Sequence, residues 1–90
     1  MRLRGVVRSA DLQEETPGGD RIELALRLQG VGPGQPRLVV VPYTLLLRYE
    51  SLDPDEVAGR GFEAEVGQDD RGRWVVSEIA FASRVLRLEE

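Results

Sequence analysis

The sequence contains neither cysteine nor histidine among its 90 residues. Without cysteine the chain cannot form disulfide bonds or thiolate metal sites, so its stability must come from packing or from self-association. Without either residue it also lacks the usual zinc ligands, the cysteine nucleophile and the commonest general base. We therefore predict a protein that is not an enzyme, with no catalytic residue, no metal site and no cofactor.

Long apolar runs are missing as well, since no stretch approaches the roughly twenty apolar residues of a membrane-spanning helix. The basic opening at residues 1–4 is not followed by the apolar segment of a signal peptide. These absences predict a cytoplasmic protein with no membrane partner. The length predicts a single domain over residues 1–90, and at this size a closed barrel or a compact sandwich is the practical way to bury a core.

Lysine and asparagine are also absent, so all twelve basic residues are arginine. The arginine bias is typical of GC-biased coding. The lack of asparagine and cysteine, the proline in loops and the abundant charge suit a thermophile, whereas the broader thermophile trend favours lysine over arginine. The composition therefore leaves a thermophilic source open.

The net charge of −4 is unevenly distributed along the chain. Residues 1–48 carry seven arginines and five acidic residues, a balance of +2, and residues 49–90 carry five arginines and eleven acidic residues, a balance of −6. Such asymmetry can mark a surface that faces a polyanion. An excess of two charges is small, however, and favours an ordinary solvated surface.

The first third of the chain has the pattern of a β-hairpin. Residues 2–12 predict a strand in which Gly5 marks a bulge or a close approach of another backbone. Residues 14–20 contain Pro and two Gly and predict a turn. Residues 21–28 alternate cleanly between apolar and polar, which predicts a second strand with an inner face of Ile22, Leu24, Leu26 and Leu28.

The middle of the chain begins with a glycine-rich loop at residues 30–36, which lacks the spacing of a phosphate-binding loop and predicts a flexible hairpin connection. Residues 37–41 are rich in valine and predict a third strand. Residues 44–52 fit a helix and an alternating strand almost equally, with the helix slightly favoured. Residues 53–59 have the cap, the early proline and the later glycine of a short helix.

The last third predicts two more strands. Residues 62–66 alternate as a strand, and residues 68–72 form a turn. Residues 73–88 predict one long final strand, and a helix over residues 83–88 is the alternative for its far end. The acidic clusters in this half, at residues 53–56 and 69–70, are explained by helix capping and turn formation and lack the spacing of a calcium loop.

This order of elements resembles the oligonucleotide- and oligosaccharide-binding (OB) fold, a five-stranded Greek-key barrel. The resemblance rests on residues 5–7, 21–28, 37–41, 44–58, 61–66 and 73–76. It implies a mainly β, OB-like barrel with a short helix between strands three and four. It also implies that a ligand binds on the exposed face of strands two and three. If residues 39–49 form one continuous strand, a six-stranded barrel or meander sandwich is the alternative.

The candidate nucleic-acid-binding residues follow from placing side chains on that exposed face. Strand two is expected to expose Arg21, Glu23, Ala25 and Arg27. If Leu38 and Val40 face inward, strand three exposes Arg37, Val39, Val41 and Tyr43. Three arginines and a tyrosine on one face have the chemistry that contacts phosphates and stacks a base.

A second candidate lies at the turn before the last strand, where Arg73 and Trp74 follow Arg71. The neighbouring Asp69 and Asp70 largely cancel the arginine charge. An alternative interpretation is that the arginines of both candidates lie on an ordinary solvated strand face. Tyr43 and Trp74 would then pack in the core or at its rim.

Two hypotheses of different class follow for the function. The first is a non-enzymatic module that binds single-stranded nucleic acid through the face of strands two and three, although the acidic total opposes it. The second is a protein-interaction or homo-oligomeric assembly module with no nucleic-acid role, in which an edge strand or the apolar residues 39–47 pair with a second copy or another protein.

Overall fold

The computed structural model describes residues 1–14, 18–19, 21–48, 54–81 and 84–87. The described residues form β1 (Arg2–Glu14), β2 (Ile22–Gln29), β3 (Leu38–Val41), α1 (Tyr43–Arg48), α2 (Pro54–Val57), β4 (Gly61–Gln68), β5 (Trp74–Phe81) and β6 (Arg84–Arg87). The Cα radius of gyration is 12.1 Å, close to the roughly 12 Å of a compact chain of this length. The prediction of a mainly β fold is confirmed. No helix within these ranges is long and apolar enough to cross a bilayer.

The sheet closes on itself through its first five strands. The strands lie in the order β3-β2-β1-β4-β5-β6, and an additional parallel pairing between β3 and β5, at Val40 and Val75, completes a ring. The other pairings are antiparallel. The long strand β1 holds two neighbours, because its first half pairs with β4 and its second half with β2.

The segment after β3 is helical, as the favoured interpretation of residues 44–52 predicted. The Pro42 carbonyl accepts hydrogen bonds from the N–H groups of Leu45 and Leu46 at 3.0 and 3.1 Å, and Leu45 is buried. Proline has no N–H to continue a ladder, so the strand ends and the helix begins there. The alternative of one continuous strand over residues 39–49 is therefore wrong. Residues 49–52 lie outside the described ranges.

The second helix also follows the predicted pattern. Pro54 occupies its first position, and Gly59 has a φ of 85° just after its end. Glycine adopts this left-handed conformation without the strain of a side chain. The predicted cap, Asp53, lies outside the described ranges.

The prediction of one long final strand over residues 73–88 is wrong. The chain reverses after β5, and β6 returns antiparallel to residues 78–81. The helix suggested for residues 83–88 is also wrong for residues 84–87, which are strand, while residues 83 and 88 lie outside the description. The reversal was not visible in the sequence because no glycine or proline lies near residues 82–83.

The core fills the inside of the ring with aliphatic and aromatic side chains from the five strands and both helices. On β1 the inward set changes phase at a bulge, because the register with β2 shifts between Val7 and Ser9. Gly5 allows a close approach, since a Cβ at this position would lie 2.5 Å from the Gln29 carbonyl oxygen. The predicted close approach at Gly5 is confirmed, and the bulge lies two to four residues later.

The predicted faces of β2 and β3 need correction. Leu24, Leu26 and Leu28 are buried as predicted, but Ile22 is exposed, and Glu23 and Ala25 on the other face are buried. On β3 the predicted inner and outer faces are wrong, because Val39 and Val41 belong to the core. Val40 lies on the outer face, and Leu38 is exposed there.

The cause of the wrong assignment is the register between the two strands. Val39 pairs with Leu26 and Val41 with Leu24, and cross-strand partners point to the same face of a sheet. A run of apolar residues has no alternation of its own that could indicate this.

Candidate functional site

A cavity opens on the outer face of β2 and β3, beside the turn between β4 and β5. Its volume is about 260 Å³, and it is lined by Gln13, Glu23, Leu38, Val40, Arg73 and Trp74. We call it the β2–β3 cavity. Sites that enclose whole small molecules usually span about 300–1,000 Å³. This cavity therefore suits a single ring-sized group that belongs to a larger ligand.

A buried carboxylate forms the polar end of the cavity. Glu23 is 1% exposed, and Nη1 of Arg73 lies 2.9 and 3.0 Å from its two oxygens. The amide of Gln13, its cross-strand partner, donates a third hydrogen bond at 2.6 Å. Burial of a charge requires such partners. Among the described residues no buried side-chain polar atom lacks one.

The turn between β4 and β5 holds Arg73 in this position. Oδ1 of Asp69 accepts hydrogen bonds from the backbone N–H groups of Arg71 and Arg73 at 2.9 and 2.8 Å, and Oδ2 accepts one from Nε of Arg73 at 3.0 Å. Burial opposes ionisation of Asp69, but the hydrogen bonds from Arg73 and Arg71 outweigh it and lower the pKa of Asp69. The hydrogen bond to Asp69 is in turn the main reason why the pKa of Arg73 is raised.

The apolar side of the cavity is made by Trp74, Leu38 and Val40. Trp74 is half-buried and packs against the core cluster while it lines the cavity. Leu38 is 50% exposed. An indole that is fixed by the core on one side and open on another is suited to stack on a planar group.

The structure separates the candidates of the predicted binding face. Arg27 is exposed on the outer face, opposite Ser9 on β1 and Leu38 on β3. Arg37 is exposed just before β3, where its carbonyl accepts a hydrogen bond from the Leu28 N–H at 2.7 Å. With Val39 and Val41 in the core, Arg37 does not share the face of Arg27 by strand alternation.

Arg21 and Tyr43 form a separate pair. The guanidinium carbon of Arg21 lies 5.8 Å from the centre of the Tyr43 ring, within the range of a cation–π contact. Tyr43 is half-buried at the start of α1. This ring is therefore already covered by a cation.

The opposite side of the ring carries charges that neutralise one another. Arg2 on β1 reaches Glu63 through Nε and Glu78 through Nη1, both at 3.0 Å, and Arg4 lies 3.4 Å from Glu63. We call the outer side of β1, β4 and β5 around these residues and Glu65 the paired-charge face. Arg27 and Arg37, in contrast, form no ion pair with any residue that the structure describes.

Of the six candidates, only Arg73 and Trp74 line the cavity. Sequence reasoning missed the other four lining residues: Gln13, Glu23, Leu38 and Val40. Glu23 was placed on the outer face but expected to be exposed, and no local signal indicates that an arginine fifty residues later covers it. Leu38 and Val40 were missed because β3 was assigned to the wrong face.

The described ranges contain no cluster of acidic side chains that could hold a metal ion. Comparison with protein-family models, with curated proteins and with solved structures finds no match for this chain.

Proposed function

We propose that this protein is a non-enzymatic module that binds single-stranded nucleic acid, with one base entering the β2–β3 cavity beside Trp74. The observation that carries the proposal is the position of that indole. It is held by the core on one side and lines an open cavity on another, next to a guanidinium that two carboxylates hold in place. Stacking of a base on an aromatic side chain contributes about 1–3 kcal/mol and tolerates any base.

The arrangement of strands supports the proposal. A ring in which β3 pairs with β5, and in which helices connect β3 to β4, is consistent with an OB-like Greek-key barrel. In that fold the ligand lies across strands two and three and touches the loops between strands one and two and between strands four and five. The lining of the β2–β3 cavity supports this comparison, because it includes Glu23 of β2, Leu38 and Val40 of β3, and Arg73 at the end of the loop between β4 and β5.

The ion-pair partners of the arginines indicate which of them shape the cavity and which can contact phosphates. Arg73 is neutralised by Glu23 and Asp69, so its role is to shape the cavity rather than to attract phosphate. Arg27 and Arg37 are exposed and have no described carboxylate partner, which leaves them able to contact phosphates. With these two contacts, the slope of the logarithm of the binding constant against the logarithm of the salt concentration is expected to be about −1.4, at roughly −0.7 per phosphate of a single strand.

Fluorescence titration with a single-stranded oligonucleotide tests the proposal. Trp74 is the only tryptophan, so its emission reports on the cavity while the anisotropy of a labelled oligonucleotide reports on binding. The parent is compared with the double variant Arg27→Glu, Arg37→Glu. The control is the double variant Arg4→Glu, Arg60→Glu, which changes the net charge equally and reverses exposed arginines elsewhere.

We expect quenching of Trp74 and an anisotropy rise for the parent and the control at low salt, and loss of both for Arg27→Glu, Arg37→Glu. Absence of binding by the parent at very low ionic strength, where attraction is least screened, overturns the proposal. Equal loss in the two double variants indicates attraction by total charge alone and removes the assignment of phosphate contacts to Arg27 and Arg37.

A further inference from the structure

Among the residues that the structure describes, the second half of β1 pairs with another strand along only one of its two edges. Up to Val7 the edge that faces away from β2 is occupied, because the Val7 N–H donates to the Arg60 carbonyl at 2.9 Å and its carbonyl accepts from the Gly59 N–H at 2.7 Å. Residues 9–14 pair with β2 along one edge only. No strand among the described residues pairs with their other edge. Such an edge is a template for another strand.

Hydrogen bonds on β2 show which backbone groups point to this free edge. The Leu28 N–H donates to Arg37 ahead of β3, and backbone direction alternates along a strand. Leu24 and Leu26 therefore also face β3, while Ala25 faces β1. Since Leu12 lies opposite Leu24, the N–H and C=O of Leu12 are not used by β2 and point to the free edge. By the same alternation Ala10 and Glu14 present their groups there too.

Exposed apolar side chains accompany the free backbone groups. Leu12 is 51% exposed and Ile22 is 43% exposed. Leu12 lies opposite the core residue Leu24, so its side chain is on the inner face of the sheet. Ile22 is two positions from Leu24 on β2, so its side chain is on the same face and diagonal to Leu12. The hairpin thus extends its inner, apolar face beyond the part of the ring that covers it.

We propose that this edge binds a second copy of the chain, with the two β1 strands antiparallel about a two-fold axis at Leu12. This inference is independent of the proposed nucleic-acid function. In this register Leu12 lies opposite the second copy's Leu12, Ala10 lies opposite Glu14, and Asp11 lies opposite Gln13. The free N–H and C=O groups of residues 10, 12 and 14 then pair across the axis.

Charge selects this register and favours a second copy as the occupant. An axis at Asp11 would place two aspartates directly opposite each other, which destabilises a strand pair. An axis at Gln13 would oppose Leu12 with Glu14 and leave the leucine without an apolar partner. The axis at Leu12 opposes no like charges and joins two identical leucines, which is the self-complementarity that a two-fold interface requires.

Two proline variants test the edge by sedimentation velocity from low-micromolar to millimolar protein. Leu12→Pro removes an N–H that the monomer does not use, so the variant is expected to fold and to remain monomeric. Asp11→Pro removes an N–H that bonds β2, so it is expected to unfold the hairpin. Leu12→Lys leaves the backbone intact and is expected to weaken the dimer at least about tenfold, a loss of about 1.4 kcal/mol.

A cross-linking experiment tests the register, because the chain has no cysteine of its own. Directly opposed residues lie about 5.5 Å apart between Cα atoms, within the reach of a disulfide. Leu12→Cys is therefore expected to give a covalent dimer on mild oxidation. Residue 14 lies four positions, or about 14 Å along the strand, from residue 14 of the second copy. Glu14→Cys is therefore not expected to give a covalent dimer.

A parent that stays monomeric over the whole concentration range overturns the proposal. So does a dimer that persists unchanged in folded Leu12→Pro and in Leu12→Lys, because pairing then occurs elsewhere, for example through β6. Cross-linking of Glu14→Cys as fast as Leu12→Cys contradicts the register.

Discussion

The two sides of the ring carry arginines in very different surroundings. On the paired-charge face Arg2 and Arg4 lie against Glu63, Glu65 and Glu78, and Arg4 and Glu63 line a wide, open hollow of about 410 Å³. Arg27 on the outer face and Arg37 just before β3 have no described ion-pair partner, and the guanidinium of Arg73 beside the cavity is held by a buried carboxylate. The acidic total of the chain therefore does not describe its surface, because part of the acid is used to neutralise one face.

The same contrast separates weak ion pairs from a strong one. The carboxylates and guanidinium groups of the paired-charge face remain in contact with solvent, and such exposed pairs contribute little to the free energy of unfolding. The Glu23 carboxylate is buried, so water cannot replace Arg73 as its partner if the arginine is removed. Energetic dependence on charge is thus expected to be concentrated at the cavity.

The largest expected effect is that of Arg73→Met. It leaves the buried Glu23 carboxylate with only the Gln13 amide, and breaking a buried pair from one side costs about 3–5 kcal/mol. Because the Arg73 side chain is 32% exposed, the lower end of this range is expected. Urea unfolding followed by circular dichroism measures the loss.

Two controls separate the buried pair from arginine content in general. Arg71→Met, at an exposed position of the same turn, is expected to change the free energy of unfolding by less than about 0.5 kcal/mol. Adding Glu23→Gln to Arg73→Met removes the stranded charge and is expected to restore part of the loss. A cost for Arg73→Met no larger than for Arg71→Met would mean that the pair is not buried as described.

An intermediate effect tests the corrected faces of β3. Val39→Ala removes core methyl groups and is expected to cost about 2 kcal/mol, whereas Leu38→Ala removes a half-exposed side chain and is expected to cost much less. Thermal unfolding of the two variants decides between the faces. The original assignment, with Leu38 inside, requires the opposite order.

The sequence predicted well those elements whose signals are local. The alternation of residues 21–28, the proline and glycine around α2, and the close approach at Gly5 each reflect a constraint within a few residues. The predictions that were wrong depend on contacts between distant positions. The face of β3 is decided by its register with β2, and the reversal into β6 by pairing with β5.

For the same reason, only two of the six residues that line the candidate site could be predicted from the sequence. Arg73 and Trp74 stood out as residue types, but the cavity exists because Glu23, fifty positions earlier, is brought beside Arg73 by closure of the ring. A strand glutamate among alternating residues predicts solvent exposure. Its burial is set by the cation that reaches it, and this contact has no signature near position 23.

The smallest expected effect concerns the acid titration of two carboxyl groups, Glu63 on the paired-charge face and Asp69 beside the β2–β3 cavity. The hydrogen bond from Arg2 is the main cause of a lowered pKa at Glu63, from an ordinary value of 4.5. At Asp69 the hydrogen bonds from Arg73 and Arg71 lower the pKa, from an ordinary value of 3.8, against the effect of burial. A lowered folded-state pKa stabilises the fold above the unfolded value, and this contribution is lost as the pH falls through the folded value.

Arg2→Gln removes the main partner of Glu63 and separates the two sides. The pKa of Glu63 is expected to rise toward 4.5, because only the longer contact with Arg4 remains, while the pKa of Asp69, whose partners are Arg73 and Arg71, stays unchanged. Carbon-detected NMR titration of the side-chain carboxyl groups measures both in one sample. An equal shift at Asp69 would mean that the two charge systems are coupled, and a Glu63 that keeps its lowered pKa would mean that Arg2 is not its partner in solution.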